Sequence, residues 1–220
     1  MDSSSNAMRG LTAEEASLRL LMAADFGEEQ SVRKLLALAD PNARAGDGCT
    51  PLMLAAIKGH VGCIRILAPV SDGLQKDTHG HTALTWAAAM GHADCVQLLI
   101  SACDPRAIGP DGFDALGFAL IGDNPSPCVR LLAPFCDPLC LDDEGFHPFF
   151  RAQAGRKWDC VDAMAPFVPA NLAQSDFAAA PAGSMPGWLA QMEAAQLAEA
   201  AGGLGEALAP NLRPRPVRAL

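Results

Sequence analysis

The sequence predicts an all-α solenoid, in which helix-turn-helix repeats joined by short hairpin loops stack side by side. The phrase Gly-x-Thr-x-Leu-x-x-Ala-Ala occupies residues 48–56 and again 80–88, and weaker copies follow at 112–116 and 145–149. Half of the eight cysteines follow the same spacing of 32 or 33 residues. A unit that recurs at such a period cannot bury its apolar face alone, so neighbouring units must stack into one core.

The first repeat, residues 11–42, is the expected N-terminal cap of this stack. It contains two helical segments but lacks the recurring phrase. Its Ala-Ala pair at 23–24 and its Gly27 lie 32 residues before the corresponding residues of the next repeat. A solenoid needs such an atypical terminal unit.

Repeats two and three carry the clearest helix signals. Thr50 and Thr82 suit the N-cap of a first helix, where a side-chain oxygen accepts a hydrogen bond from an unpaired backbone N–H. Pro51 follows at the first helical position, where its missing N–H costs nothing. Gly59 and Gly91 predict a left-handed end to the same two helices.

The second helix of each repeat contributes one cysteine to the expected core. Cys63, Cys95, Cys128 and Cys160 are 32, 33 and 32 residues apart, and Ile or Val follows each of them. Cysteine behaves as a small buried hydrophobe at such a position. Stacked helices lie roughly 10 Å apart, which exceeds the reach of a disulfide. We therefore expect free thiols and a reducing compartment.

The recurring phrase, the Gly-His pairs at 59–60 and 91–92, and the Leu-rich second helices resemble the ankyrin repeat. The resemblance covers about residues 11–168 and implies an ankyrin-type helical solenoid. The expected organisation is a disordered N-terminus at 1–10, about five repeats at 11–42, 43–75, 76–106, 107–139 and 140–168, and a linker, C-terminal helix and loose tail at 169–220.

Repeats four and five depart from this pattern. Asp114 replaces the capping threonine of repeat four, and the turn between its helices is expected to lengthen through residues 122–127. His147 stands at the cap of repeat five. The signature histidine of the family is replaced by Met53 and Thr85, so its usual hydrogen bond between repeats is not expected there.

The C-terminal segment leaves the repeat pattern. Residues 170–187 are rich in Ala, Pro, Gly and Ser, which indicates a linker. Trp188, Leu189, Met192 and Ala195 then form an apolar stripe at helical spacing. Two interpretations remain open: a helix that covers the exposed side of repeat five, or a helix or tail that docks into a partner.

Composition excludes several classes of partner. The net charge of −9 and the pI near 4.9 argue against a binder of nucleic acid or of anionic membranes, which would carry a basic stripe. No stretch approaches the roughly 18 apolar residues that a membrane helix needs. We expect a cytoplasmic monomer, with secretion as an effector as an open alternative.

Chemical motifs are sparse. His79, His81 and His92 lie near Cys49 in the repeat pattern, but the paired ligand spacing of zinc sites does not occur among them. No phosphate-binding glycine loop, serine elbow or paired-carboxylate motif appears. We therefore expect no cofactor, no metal and no catalysis, and the alternative is a thiol- or metal-dependent enzyme centred on Cys49 and His81.

The resemblance implies a concave groove formed by the hairpin tips and the exposed side of the first helices. The residues that this pattern selects for partner binding are Arg44, Asp47, Cys49, Ile57, Lys58, Lys76, Thr78, His79, His81, Met90, Ile108, Asp111, Phe113, Asp143, Glu144, Phe146 and Arg151.

Four of these residues, Cys49, His81, Phe113 and Phe146, fall at one equivalent position and should line up across the groove. The two phenylalanines are either exposed anchors, since large side chains dominate interface energies, or are buried between hairpins. The expected function is a non-catalytic scaffold or adaptor that binds another protein through the groove. The alternative is a bacterial effector or regulator whose C-terminal helix or tail carries the specificity.

Overall fold

The computed structural model describes residues 11–122 and 124–169, which belong to one compact unit. The expected disordered N-terminus at 1–10 and the expected linker, C-terminal helix and tail from residue 170 onward lie outside the described residues. The α-helices of the described part are α1 (Ala13–Phe26), α2 (Glu29–Leu35), α3 (Pro51–Lys58), α4 (Val61–Leu67), α5 (Ala83–Ala89), α6 (Ala93–Leu99), α7 (Ala115–Ile121), α8 (Pro125–Leu132), α9 (Pro148–Ala154) and α10 (Trp158–Met164).

These helices form five antiparallel pairs, numbered here as repeats one to five. Each first helix packs against the first helix of the next repeat, and the second helices pack against one another in the same way. The result is two layers of helices around one continuous apolar core. The prediction of an all-α helical solenoid is confirmed.

Each first helix begins with a side-chain cap. Thr12, Thr50, Thr82, Asp114 and His147 all accept a hydrogen bond from the backbone N–H three residues later, at 2.9–3.3 Å. A cap of this kind stabilises a helix by about 1 kcal/mol. The caps predicted at Thr50, Thr82, Asp114 and His147 are confirmed, including the two unusual ones.

A histidine joins each of the first two pairs of neighbouring repeats. Nε2 of His60 lies 3.0 Å from the carbonyl oxygen of Asp25, and Nε2 of His92 lies 3.0 Å from that of Ile57. Because a carbonyl only accepts, Nε2 is the protonated nitrogen. The His60 imidazole occupies the space that a Cβ would fill at Gly27, where φ is +74°. Glycine is thus required both by the backbone and by the neighbouring ring.

The residues that replace the signature histidine act inside their own repeats. The backbone N–H of Thr50 donates to Sδ of Met53 at 3.4 Å, and that of Thr82 donates to Oγ1 of Thr85 at 2.8 Å. Both side chains therefore complete the helix cap from the third helical position. The expectation that these positions do not link neighbouring repeats agrees with this geometry.

The repeat-spaced cysteines lie in the core. Cys63, Cys95, Cys128 and Cys160 are each 0 % exposed, and all eight cysteines are free thiols. This confirms their prediction as core residues. The turn of repeat four is shorter than expected, because α8 already begins at Pro125. Proline at a first helical position starts the helix rather than prolonging the loop.

Candidate functional site

The hairpin before α5 is organised by one buried carboxylate. Oδ1 of Asp77 accepts the backbone N–H groups of His79 and His81, both at 2.9 Å, and Oδ2 accepts Nε1–H of Trp86 at 2.9 Å. Asp77 is only 6 % exposed. Its oxygens thus fix the shape of the hairpin tip and tie the tip to the first helix.

The hairpin before α9 repeats this arrangement with a cation as the side-chain donor. Oδ1 of Asp142 accepts the N–H groups of Glu144 and Phe146 at 3.0 and 2.9 Å. Oδ2 accepts Nε–H of Arg151 at 2.6 Å. Donor and acceptor are nine residues apart in both hairpins, so Trp86 and Arg151 occupy equivalent positions.

The other two hairpins have neither partner. Ala45 and Gly109 stand where Asp77 and Asp142 stand, and their first helices carry Leu54 and Phe118 at the donor position. A small hairpin residue is therefore paired with an apolar helix residue. Polar and apolar versions of one contact alternate along the stack.

Side chains from these hairpins and first helices interleave in one continuous row. The His81 ring lies 4.4 Å from the Trp86 ring and 4.9 Å from the Phe118 ring, measured between centroids. Phe118 in turn meets Phe113 edge to face at 5.7 Å. Edge-to-face and tilted contacts at these distances are favourable beyond the area that they bury.

The row continues through a guanidinium group. The Cζ atom of Arg151 lies 5.0 Å from the centroid of Phe113 and 5.2 Å from that of Phe146. Phe146 stacks on Phe150 at 5.4 Å, and Nη2 of Arg151 also donates to Glu144 at 2.8 Å. The cation is thus held by two rings and two carboxylates. We call this set the aromatic row, and it consists of Trp86, His81, Phe118, Phe113, Arg151 and Phe146.

Two glycines make room for the rings of repeat four. A Cβ at Gly109 would lie 2.7 Å from Cε2 of Phe118, and a Cβ at Gly117 would lie 2.5 Å from Cδ1 of Phe113. Both distances are far below van der Waals contact. The aromatic side chains of this repeat therefore depend on glycine at positions where the other repeats carry larger residues.

The structure sorts the expected groove residues by exposure. Those on the surface are Arg44, Asp47, Lys58, Lys76, Thr78, His79, Met90, Asp111, Asp143 and Glu144. Those that are half-buried are Ile57, His81, Ile108, Phe146 and Arg151. Cys49 and Phe113 are buried.

Cys49 is a correction to the expected groove. Its side chain is 4 % exposed and belongs to the continuous apolar core. Burial, followed by the nearby Asp47 carboxylate, raises the pKa of the Cys49 thiol to about 12. The thiol is therefore protonated, and a protonated thiol is a poor nucleophile. Phe113 is 9 % exposed, so of its two alternatives the structure shows the buried one.

Three of the surface residues hold neighbouring hairpins together. Nη2 of Arg44 donates to the carbonyl oxygen of Lys76 at 2.5 Å, and Nζ of Lys76 donates to that of Ile108 at 2.8 Å. Oγ1 of Thr78 donates to the carbonyl of Asp47 at 2.7 Å. Their polar groups therefore connect neighbouring repeats of the stack.

Trp86 and Phe118 are not among the residues that the sequence pattern selected. Both lie four residues after a helix cap, one turn into the first helix, which places them beside the residue that precedes the cap. Arg151 occupies this same position in repeat five and was selected. An aromatic residue four positions after the helix cap was the sequence feature that could have identified Trp86 and Phe118.

The described residues contain neither a metal-binding cluster nor a membrane-spanning helix. Within residues 11–122 and 124–169, no group of three or more His, Cys, Asp or Glu side chains is placed to hold a metal ion. No helix in that same part of the chain is long and apolar enough to cross a membrane.

Comparison with known proteins agrees with this architecture. Residues 20–109 match the family model described as ankyrin repeats, in three copies. No curated protein matches the chain. The matched stretch runs from the middle of α1 to the hairpin before α7, and the same helix-pair pattern continues through α10. Residues 20–109 of this chain therefore belong to the ankyrin-repeat family.

Proposed function

We propose that this protein is a non-catalytic scaffold or adaptor that binds another protein through the concave groove, centred on repeats four and five. Ankyrin repeats generally mediate protein–protein interaction, and the family is typically non-enzymatic. The groove consists of the hairpin tips and the exposed side of the first helices, with the aromatic row along its floor.

The observation that carries this proposal is the fixed position of Arg151. Its guanidinium lies between the rings of Phe113 and Phe146 and is bonded to Asp142 and Glu144. A side chain that is already ordered loses little conformational entropy when a partner binds. This end of the groove therefore presents a preorganised surface, which favours specific binding over loose contact.

The partner-facing groups beside Arg151 are one aromatic ring and several carboxylates. Phe146 is half-buried, and Asp111, Asp143 and Glu144 are exposed on the tips next to it. Large aromatic side chains often dominate interface energies, and exposed acidic groups steer a basic partner and raise its association rate. We infer a partner that presents an apolar side chain flanked by lysine or arginine.

We further propose that the protein acts as a monomer in a reducing compartment such as the cytoplasm. All eight cysteines are free thiols, and seven of them are buried. Disulfides are rare where glutathione keeps thiols reduced. Seven buried thiols are consistent with a chain that folds without oxidation.

The test is affinity purification from the native organism, with captured proteins identified by mass spectrometry. The double variant Phe146→Ala with Asp143→Lys should lose the partner while its helical circular dichroism stays unchanged. Leu74→Ala is the matched control, since Leu74 is 62 % exposed and lies outside the groove. Unchanged capture by the double variant would refute the groove as the binding surface.

A truncated variant tests the alternative in which the C-terminal segment carries specificity. Removal of residues 187–220 should leave capture intact if the groove binds the partner. Loss of capture with retained helical signal would instead assign binding to that segment.

A further inference from the structure

A second row of exposed apolar side chains follows the repeat register away from the groove. Leu38, Val70, Phe135 and Phe167 are 47, 51, 47 and 45 % exposed. Each lies in the turn that follows a second helix, and Ala102 holds the equivalent position in repeat three. We call the four large residues the apolar ridge.

The backbone has the same geometry at the ridge position of repeats one to four. The N–H groups of Leu38, Val70, Ala102 and Phe135 donate to the carbonyl three residues earlier, at 2.9–3.0 Å. The next residue in the chain then turns inward, as Ala39 and Cys136 do, while the ridge residue faces solvent. Single exposed apolar residues need no explanation, but a large one at the same solvent-facing position in four of five repeats is a pattern.

Three of the five repeats carry an arginine on the helix side of the ridge, whereas Gln97 and Asp162 stand at this position in repeats three and five. Arg33, Arg65 and Arg130 are exposed in the last turns of their second helices, five residues before Leu38, Val70 and Phe135. None of the three forms an ion pair with an acidic residue among those described. A cation near a helix C-terminus is itself favourable, which accounts for charge there but not for its pairing with a bulky exposed neighbour.

On the opposite flank of the ridge lie aspartates whose carboxylates already accept backbone hydrogen bonds. Oδ1 atoms of Asp40, Asp72, Asp104 and Asp137 each accept the backbone N–H two residues later, at 2.9–3.0 Å. These carboxylates shape the loops that lead to the next hairpin. The flanks therefore differ: guanidinium groups with no ion pair on one side, and carboxylates bonded to backbone on the other.

We propose that the apolar ridge is a second interaction surface, which accepts an amphipathic helix of a partner protein. That helix would carry an apolar residue at every seventh position and acidic residues along the flank that faces the arginines. Seven residues of α-helix rise about 10.5 Å, which matches the spacing of stacked helices at roughly 10 Å. One partner residue per heptad thus meets one ridge residue per repeat.

This surface is separate from the groove. The ridge comes from the ends of second helices, whereas the groove comes from first helices and hairpin tips. Two independent surfaces on one rigid stack allow the protein to hold two partners at once. The inference goes beyond groove binding, and either surface can fail without the other.

The probe is a fluorescein-labelled 21-residue helical peptide with leucine at every seventh position, alanine beside it and glutamate along one flank. Fluorescence anisotropy with the full chain should give a Kd of about 10 μM, as for a small weak interface. Val70→Ser with Phe135→Ser should weaken binding about tenfold or more. Leu74→Ser and the groove variant Phe146→Ala are matched controls that should bind as the unaltered protein does.

A charge exchange keeps the test decisive if the serine variant folds poorly. Arg65→Glu with Arg130→Glu should weaken the glutamate peptide about tenfold and should bind a lysine version of it more tightly. Equal binding by the ridge variants, or no saturable binding below about 1 mM, would overturn the proposal. So would self-association of the unaltered protein that the ridge variants abolish, because the occupant would then be a second copy.

Discussion

Repeats three and five differ from repeats two and four at one pair of positions. In repeats three and five a hairpin aspartate accepts a hydrogen bond from a first-helix side chain, Trp86 or Arg151. In repeats two and four the same two positions hold a small hairpin residue and an apolar first-helix residue, Ala45 with Leu54 and Gly109 with Phe118. The two positions change together, and in repeats three and five the contact between them fixes the hairpin tip. The recurring phrase itself caps and packs the helices.

The two polar repeats also differ from each other. Trp86 is a neutral donor, so the Asp77 carboxylate of repeat three is held by three N–H groups and by no cation among the described residues. Arg151 brings a positive charge, and two carboxylates and two rings hold it in place. The C-terminal end of the groove is therefore the more polar and the more constrained end.

The largest expected effect comes from the caps of repeats five and four. Burial lowers the pKa of His147 from 6.5 to about 4, and Nδ1 must be unprotonated to accept the Phe150 N–H. The unfolded chain gains this proton first as pH falls. The free energy of unfolding should therefore drop by up to about 3 kcal/mol between pH 6.5 and pH 4. His147→Asn keeps a cap that does not titrate, so urea denaturation should show this dependence removed.

Asp114 provides the control of opposite sign. Burial raises its carboxyl pKa from 3.8 to about 6, so its contribution is present at low pH and is lost as pH rises through 6. Relative to Asp114→Asn, the unaltered protein should lose stability between pH 4 and pH 6. If the free energies of unfolding of His147→Asn and Asp114→Asn changed with pH in parallel, the two pKa assignments would be contradicted.

The next effect compares the two hairpin aspartates. Asp142→Ala should cost about 2 kcal/mol of unfolding free energy, because two backbone N–H groups and a cation lose their acceptor. Asp77→Ala should cost about 1 kcal/mol less, since the group left unpaired there is a neutral indole N–H. Denaturant unfolding of both variants measures the difference. A larger cost for Asp77→Ala would show that the charge of Arg151 does not strengthen its hairpin.

A smaller effect is expected at the donors themselves. Arg151→Lys keeps the charge but cannot bridge Asp142 and Glu144 with a planar fork, and should cost about 1 kcal/mol. Trp86→Phe removes only the Nε1–H bond to Asp77 and should cost about the same. Thermal and urea denaturation would measure both. An unchanged stability for Arg151→Lys would show that the bridge between the two carboxylates plays no part.

The smallest effect is expected at the rim. The side chain of Glu144 is 71 % exposed, and exposed ion pairs contribute little. Glu144→Gln should change the free energy of unfolding by less than about 0.5 kcal/mol. A larger loss, measured by the same denaturation experiment, would mean that Glu144 and not Asp142 holds Arg151.

Much of the fold was predictable because the repeat register fixes equivalent positions. Caps at Asp114 and His147 could be predicted although neither matches the family phrase, since any short acceptor at that position can bond the N–H three residues on. The buried cysteines followed from the same register. These features depend on local backbone geometry, which sequence spacing encodes directly.

The groove was less predictable because its contacts lie between repeats. The register places Phe113 and Phe146 at one position, but it does not show that Arg151 lies between them or that Phe118 reaches His81. Glycine at 109 and 117 was a visible sign of space for rings in repeat four. Its meaning depends on how far neighbouring repeats are offset, which spacing alone does not give.

Two kinds of hydrogen bond recur at the four joints between repeats, and in the part of the chain that the structure describes the joint between repeats three and four has neither of them. Hairpin N–H groups of Thr78 and Asp143 donate to the preceding hairpin at 3.1 Å, but Pro110 has no N–H to donate in repeat four. His92 and Lys157 bond the preceding repeat, whereas their equivalent Asn124 makes no such bond among the described residues.

At the joint between repeats three and four, ring packing takes the place of these two hydrogen bonds, and the exposed Lys76 still donates to the carbonyl oxygen of Ile108. Apolar stabilisation weakens on cooling, while hydrogen bonds are not weakened in this way. Repeats three and four should consequently separate more readily near freezing than either flanking joint does. Cooling should therefore open this stack first between repeats three and four, before the other joints separate.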